Sequence, residues 1–462
     1  MAKTPGPTVF VLFGATGDLA RRMVLPAFYT LAIQGLLPKE WFLIGDGRGD
    51  LSHEDFRKHV KEALEEFGPA PSSGPWEEFA ARLRFAGGGF RTDDPGSLLE
   101  VIDSVRGQSQ LVHYLAIPPS AFEETTKALG AYGLAAGSRV VYEKPFGTSP
   151  SMFRSLNRVV HRVFAEDQVY RIDHFLGKEA TQNLHVARFA NEALAALWNG
   201  KHIESVQIDV PETLGVEQRA GFYDATGAVL DMLVTHLFQV AAEVAMEPPA
   251  SLGATDLQSA RERVIRSFRP LDPAEVVLGQ YRGYKQIPGV KRGSTTDTYV
   301  AAKLWIDNPR WRGVPFLLRT GKRLTESRQV VSLVLKTPTH PMGELPQQAN
   351  VVTFDLAGDG TIDLSLLVKR PGVALGVEPA SVRLPLDELP NGEPLPPYAR
   401  LLNDVLLGDR SLFTRPDGLS ATWKVVGPLL DDPPKLAVYA PGSWGPTAAR
   451  KLAAPHRWLL GQ

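Results

Sequence analysis

Val9-Phe10-Val11-Leu12-Phe13-Gly14-Ala15-Thr16-Gly17-Asp18-Leu19-Ala20 decides how the first half of this chain folds. Its first five residues are an unbroken apolar, β-prone run of the kind buried on both faces of a parallel sheet. The run ends in a G-x-x-G-x-x-A pattern, after which helix formers begin. Small residues there let the backbone approach a pyrophosphate and let the helix pack close to the strand, with the helix-start amides facing the anion. The pattern departs from G-x-G-x-x-G in having Thr16 between the glycines. Its place directly after the first buried strand makes it a dinucleotide loop, with Gly14, Ala15, Thr16, Gly17, Asp18 and Leu19 as candidate cofactor contacts. Pro26 marks a break in the following helix or the first turn of its second part.

Working outward, a second buried run over 41–44 ends in Gly45-Asp46-Gly47-Arg48. An acid at this strand end takes the ribose hydroxyls of NAD, whereas a nearby Arg suits the 2'-phosphate of NADP. Both are present: Arg48 is the favoured phosphate ligand, with Arg21 or Arg22 as helpers, and Asp46 keeps NAD use open. A Gly/Pro/Ser-rich stretch over 68–75 reads as a loop between helices. The strand over 111–117 stops at Pro118-Pro119, with a helix starting near Ser120. Residues 139–142 lead into Glu143-Lys144-Pro145-Phe146-Gly147. Strand ends of a doubly wound sheet share one crevice, so Lys144 can approach both nicotinamide and substrate. Lys144-Pro145 is a candidate cis peptide.

A last strand over 169–172 runs into Asp173-His174-Phe175-Leu176-Gly177-Lys178-Glu179. A helix beginning near Asp173 would point His174 and Lys178, four positions apart, the same way beside a positive helix end, a seat for a phosphate. The plainer alternative makes Asp173 an N-cap and the two cations ordinary surface residues.

The chain has 462 residues, a net charge of -1, 44% hydrophobic and 22% charged residues. That balance excludes disordered and fibrous classes and leaves room for two or three domains. No basic stripe speaks for nucleic acid, and no stretch approaches the length of a membrane span. With no cysteine, disulfides, thiolate nucleophiles and thiolate metal sites drop out together; no metal site is expected, and the composition fits a cytoplasmic protein. After residue 180 the pattern changes to longer β runs over 205–210, 298–306, 330–336, 350–356 and 361–368. These form an antiparallel sheet of six to nine strands backed by helices. The fold class is therefore α/β plus α+β: a Rossmann-type dinucleotide-binding domain over 1–173, then a substrate-binding and oligomerisation domain with a large, mainly antiparallel sheet over 174–462. Within the latter, 227–238 reads as a mostly apolar helix carrying Asp231 and His236. A buried helix seldom holds two ionisable groups without a use or a partner. Five apart, these two do not share one α-helical strip.

Together these residues resemble the glucose-6-phosphate dehydrogenase family. The resemblance runs through 14–20, Tyr114-Leu115-Ala116-Ile117-Pro118-Pro119, 143–147 and 171–179, the last of these specific to that family. It continues through 219–224, 230–236, 279–281, 319–323, 369–372 and 442–446. It implies that His174 and Lys178 bind a 6-phosphate, that Glu212, Asp231 and Lys322 bind sugar hydroxyls, and that His236 accepts the proton. Asp173 would partner His236, and Lys144 would lie between cofactor and substrate. Family members are homodimers or homotetramers. Three departures stand out: Thr235 where many members have Asn, Ser327 where some have Lys, and Ala357-Gly358-Asp359-Gly360 in place of the usual turn, which leaves a second NADP site unsupported.

The implied chemistry is coherent. Oxidising the C1 hydroxyl of a cyclic sugar removes a hydride and the hydroxyl proton, and an imidazole held by a carboxylate titrates near neutrality, suited to take that proton. A phosphate anchored by His174 and Lys178, with Lys144 as a further contact, would hold C1 in place. The expected activity is oxidation of glucose 6-phosphate by NADP, the first step of the oxidative pentose phosphate pathway. The rivals are a related dehydrogenase of an unphosphorylated sugar and a catalytically silent NADP-binding sensor.

Overall fold

The computed structural model describes residues 5–338, 345–358, 360–389, 392 and 394–461. The chain forms two compact units: Met1–Gly177 with Leu252–Gln258 and Leu395–Pro416, and Lys178–Ser251 with Ser259–Pro394 and Asp417–Gln462.

The first unit is built on β1 (Thr8–Phe13), β2 (Trp41–Asp46), β3 (Leu83–Ala86), β4 (Gln110–Leu115), β5 (Arg139–Tyr142) and β6 (Val169–Arg171). Every strand pair is parallel, in the order β3-β2-β1-β4-β5-β6. This is the doubly wound arrangement expected above, with its order reversal between β1 and β4. All six residues of β1 are buried, as a central strand covered by helices on both faces requires. The helix His53–Phe67 starts where the Ser52 hydroxyl accepts the Asp55 amide at 3.0 Å. Pro26 stands in the first turn of the helix Leu25–Ile33, just after a wide π turn over Ala20–Val24. The core of this unit also takes Tyr398, Leu401, Leu402, Val405 and Leu406 from the helix Pro397–Leu407, packed with Phe10, Phe28 and Leu176. Nothing in the local pattern of 395–416 announces that destination.

The second unit holds β7 (Ile203–Pro211), β8 (Val276–Tyr281), β9 (Tyr299–Leu304), β10 (Phe316–Gly321), β11 (Val330–Leu335), β12 (Val351–Asp355), β13 (Ile362–Lys369), β14 (Val377–Leu384) and β15 (Ala437–Tyr439). They form one sheet, β14-β13-β12-β11-β7-β10-β9-β8-β15. It is mainly antiparallel, with parallel pairs at β7–β10 and β8–β15. Of the divergent turn 357–360, Asp359 lies outside the described residues. Among the described residues no helix is long and apolar enough to cross a membrane.

Behind this sheet, Glu243 on the helix Phe238–Ala245 is buried between His185 and Arg261 and bonds both. Burial alone would raise its carboxyl, but the Arg261 guanidinium and the His185 imidazole pull it down to about 2. A carboxyl depressed below its ordinary 4.5 contributes stability that is fully present above that value and is lost as pH falls from 4.5 towards 2. Glu243→Gln keeps the shape and removes the charge. It is expected to cost about 2 kcal/mol at pH 7, seen as a lower urea midpoint, with the difference shrinking in acid. An unchanged midpoint would mean the cluster contributes nothing to folding.

Candidate active site

At the carboxyl edge of the first unit's sheet, the glycine loop leaves β1 by a conformation few residues could take. Gly14 has φ +75°, and a Cβ there would stand 2.5 Å from the Ala116 oxygen. The Gly17 amide returns to the Gly14 oxygen at 2.9 Å. The outcome is a tight cradle that exposes Thr16 and Asp18 while Ala15 stays buried. Arg48, just past β2, is exposed at the same edge. The expected helpers are engaged elsewhere: Arg21 pairs with Glu66 at 2.6 Å, Arg22 approaches Asp18 at 4.0 Å, and both guanidiniums lie near the Phe67 ring.

Past β5, the peptide Lys144-Pro145 is cis, and Lys144 is half-buried. Its neighbour Glu143 is buried and accepts the Tyr114 hydroxyl. Burial lifts the Glu143 carboxyl above its ordinary value, against the pull of the Tyr114 hydroxyl, Lys144 and the Tyr398 hydroxyl.

The stretch after β6 corrects one expectation. The helix starts at Glu179, with Lys178 in the cap position, and residues 173–177 form a turn. Asp173 does cap, but a turn: its Oδ1 accepts the Phe175 amide at 2.9 Å and its main-chain oxygen the Leu176 amide at 3.1 Å. Gly177 then passes so close to the helix 397–407 that a Cβ would stand 2.9 Å from the Pro397 oxygen and from Leu401 Cγ. His174 and Lys178 thus do not share a helical face. His174 lies beside the Tyr398 ring, centroids 6.3 Å apart at 21°. Lys178 donates to the Gln329 side chain and, at 3.2 Å, to the Leu356 oxygen.

In the second unit, Asp231 and His236 lie on a π helix, Val229–Leu237, not on an α turn. Its i→i+5 bonding brings positions five apart onto nearly one side, which removes the obstacle an α-helical reading presents. The Thr235 hydroxyl bonds back to the Leu230 oxygen at 2.6 Å, across the same five-residue span. Asp297 caps this helix: its Oδ2 accepts the Val229 amide at 2.8 Å and its main-chain oxygen the Ala228 amide at 2.9 Å. Burial pushes the Asp297 carboxyl up to about 6 despite those amides. The next residue, Thr298, accepts the Lys322 amide at 2.9 Å. Lys322 pairs with Glu212, and its ammonium stands 5.6 Å from the Tyr223 ring centre. Burial, then Asp231, Asp297 and Glu212, push the Tyr223 phenol far up. Asp231, Asp297, Glu212 and Lys322 thus gather around Tyr223, and His236 lies five residues past Asp231 on the same π helix. The sequence pattern singles out neither Asp297, nor Tyr223 as a neighbour of these acids, nor Tyr398. The only available signal was an acid just before β9.

A doubly wound sheet with a glycine cradle after β1, in one chain with a unit that gathers Asp231, Glu212 and Lys322 at Tyr223, defines the class of a pyridine-nucleotide-dependent dehydrogenase. The chain belongs to the glucose-6-phosphate dehydrogenase family: the family models described as "Glucose-6-phosphate dehydrogenase, NAD binding domain" and "Glucose-6-phosphate dehydrogenase, C-terminal domain" match residues 11–183 and 185–459. It is 38% identical over 455 residues to glucose-6-phosphate 1-dehydrogenase 1 of Mycobacterium tuberculosis, covering 97% of this chain and 95% of that one. Its fold matches the crystal structure of glucose-6-phosphate 1-dehydrogenase from Mycobacterium avium with TM-score 0.90, 38% identity and 99% of each chain covered. It matches a glucose-6-phosphate dehydrogenase in complex with its substrate glucose-6-phosphate with TM-score 0.92, 30% identity and 100% of each chain covered.

Proposed function

We propose that this chain oxidises C1 of glucose 6-phosphate to 6-phosphogluconolactone with NADP as the hydride acceptor. The observation that carries the reading is the π turn that holds Asp231 and His236 five apart, with Asp231 meeting the Lys322–Glu212 pair at Tyr223. A sugar oxidation needs a proton acceptor and hydroxyl-holding charges in one place. When bound, the nicotinamide supplies the acceptor for the hydride that leaves C1. His236 takes the C1 hydroxyl proton, so the C1–H and O–H bonds break as the C1=O bond of the lactone forms. Asp173 is assigned to orient the imidazole. Glu212, Asp231 and Lys322 hold ring hydroxyls, His174 and Lys178 hold the phosphate, and Lys144 stands between sugar and cofactor. Gly14, Ala15, Thr16, Gly17, Asp18 and Leu19 cradle the dinucleotide. The left-handed Gly14, whose Cβ would strike the Ala116 oxygen, suits a close-lying pyrophosphate. The test is appearance of the reduced dinucleotide from NADP and glucose 6-phosphate; binding without turnover would favour the silent sensor.

Arg48 is proposed as the 2'-phosphate ligand. Arg48→Ala is expected to raise KM for NADP roughly 10-fold, the worth of one charge-assisted bond, and to leave NAD nearly unchanged. Equal losses on both cofactors would remove the assignment.

A homodimer or homotetramer in the cytoplasm completes the reading. Along the β13–β14 pair, Leu366, Val368, Val382 and Leu384 are each at least 41% exposed. An apolar strip of that kind on an outer strand pair suits burial against a second copy.

A further inference from the structure

Lys322 is presented by a strained piece of chain. The next residue, Arg323, has φ +54°, one of two left-handed residues other than glycine among the described residues. A side chain in that conformation costs free energy, and it persists only where the surroundings hold it. Part of the hold comes from the end of β7. The Glu212 amide bonds the Gly321 oxygen at 3.0 Å, its oxygen accepts the Leu324 amide at 2.9 Å, and the Arg323 amide reaches the Leu214 oxygen at 3.1 Å.

The rest comes from far along the sequence, at the 442–446 motif, which the sugar chemistry leaves without a task. The Gly442 amide donates to the Arg323 oxygen at 2.7 Å, the Thr325 hydroxyl donates to the Gly442 oxygen at 2.8 Å, and Leu324 and Ser443 form a parallel bridge. Three residues earlier, at the end of β15, Tyr439 is 3% exposed, and its hydroxyl donates to the Lys322 oxygen at 2.7 Å. Thr298 orients that hydroxyl. Its Oγ1 accepts the Tyr281 amide at 3.0 Å, which leaves its own proton for the Tyr439 oxygen, 3.0 Å away. The Thr298 main-chain oxygen accepts the Lys322 amide at 2.9 Å, so the Lys322 main chain is pinned at both ends. Burial pushes the Tyr439 phenol far up, and it therefore keeps its proton and remains a donor.

We infer that Tyr439 is a positioning residue for the sugar site: together with Gly442 it clamps the strained turn, so that the Lys322 ammonium stands beside Glu212 and the Tyr223 ring and meets a sugar hydroxyl there. The inference rests on the role proposed above for Lys322 and adds the group that sets it. A hydroxyl contact away from the reacting carbon is made in the ground state and the transition state alike, so the clamp governs affinity for the sugar and not the hydride step.

The experiment measures kcat and KM for glucose 6-phosphate, KM for NADP and calorimetric binding of glucose 6-phosphate. It uses the full-length wild type, Tyr439→Phe, Thr325→Val, Lys322→Ala, and each of the first two changes combined with Lys322→Ala. Tyr439→Phe keeps the ring and removes only the hydroxyl. It is expected to weaken glucose 6-phosphate binding and raise its KM roughly 10-fold, with kcat and the KM for NADP nearly unchanged. Thr325 is exposed, and Thr325→Val, which loosens the clamp from outside the core, is expected to move the same quantities roughly 3-fold. Over Lys322→Ala, neither change should weaken the sugar further, because the group they act through is gone. Losses that add over Lys322→Ala, or that fall equally on kcat and on NADP, mark a merely structural tyrosine and overturn the inference. Unchanged sugar binding in Tyr439→Phe and Thr325→Val overturns it as well. If Tyr439→Phe does not fold, Thr325→Val alone and over Lys322→Ala decides on the same terms. A wild type that binds glucose 6-phosphate without turnover removes the dehydrogenase reading and leaves the clamp to be decided by binding; one that does not bind it overturns both.

Discussion

His236→Asn is expected to lower kcat by roughly 10² to 10⁴, the usual worth of a positioned general base, while glucose 6-phosphate still binds. The substitution keeps a polar side chain of similar reach, so the helix it stands on should survive. His236 is fully buried, and the wide turn that holds it is fixed from outside by Asp297 on the Val229 and Ala228 amides. The loss should therefore fall on the chemical step, with kcat and kcat/KM dropping together. Turnover near the wild-type rate would take His236 out of the mechanism, whatever the family says of its members.

Lys178→Ala is expected to lower kcat/KM for glucose 6-phosphate roughly 10²-fold, the loss of about two hydrogen bonds to a dianion, while free glucose changes little. The ammonium is oriented by bonds to the Gln329 side chain and the Leu356 oxygen. It also stands at the start of the helix Glu179–Phe189, where the unsatisfied amides favour an anion. Equal losses on both sugars would point to a general disturbance of the fold and contradict a phosphate role.

The doubly wound character of the first sheet was legible because β1, β2 and β4 are buried apolar runs stopped by glycine or proline, whereas its strand order and the short β3 left no such mark. The glycine cradle was legible because only glycine takes the Gly14 conformation beside Ala116. The turn at 173–177 was misread as helix because Asp173 serves equally well as a cap for either, and the deciding contact, Gly177 on Pro397 and Leu401, comes from far along the chain. The partners of Arg21 and Arg22 were hidden for the same reason, since Glu66 and Phe67 meet them only once the helix 53–67 has packed. The π turn under Asp231 and His236 leaves no mark in the apolar pattern. It depends on Asp297, whose place at the helix start follows from the sheet and not from the residues around it.

The most direct measurement is kcat/KM for glucose 6-phosphate against that for free glucose, with NADP, on the unaltered protein. The phosphorylated sugar is expected to be preferred by at least roughly 10²-fold, the binding energy of a held dianion turned to positioning. Equal values for the two sugars would contradict a phosphate seat at His174 and Lys178.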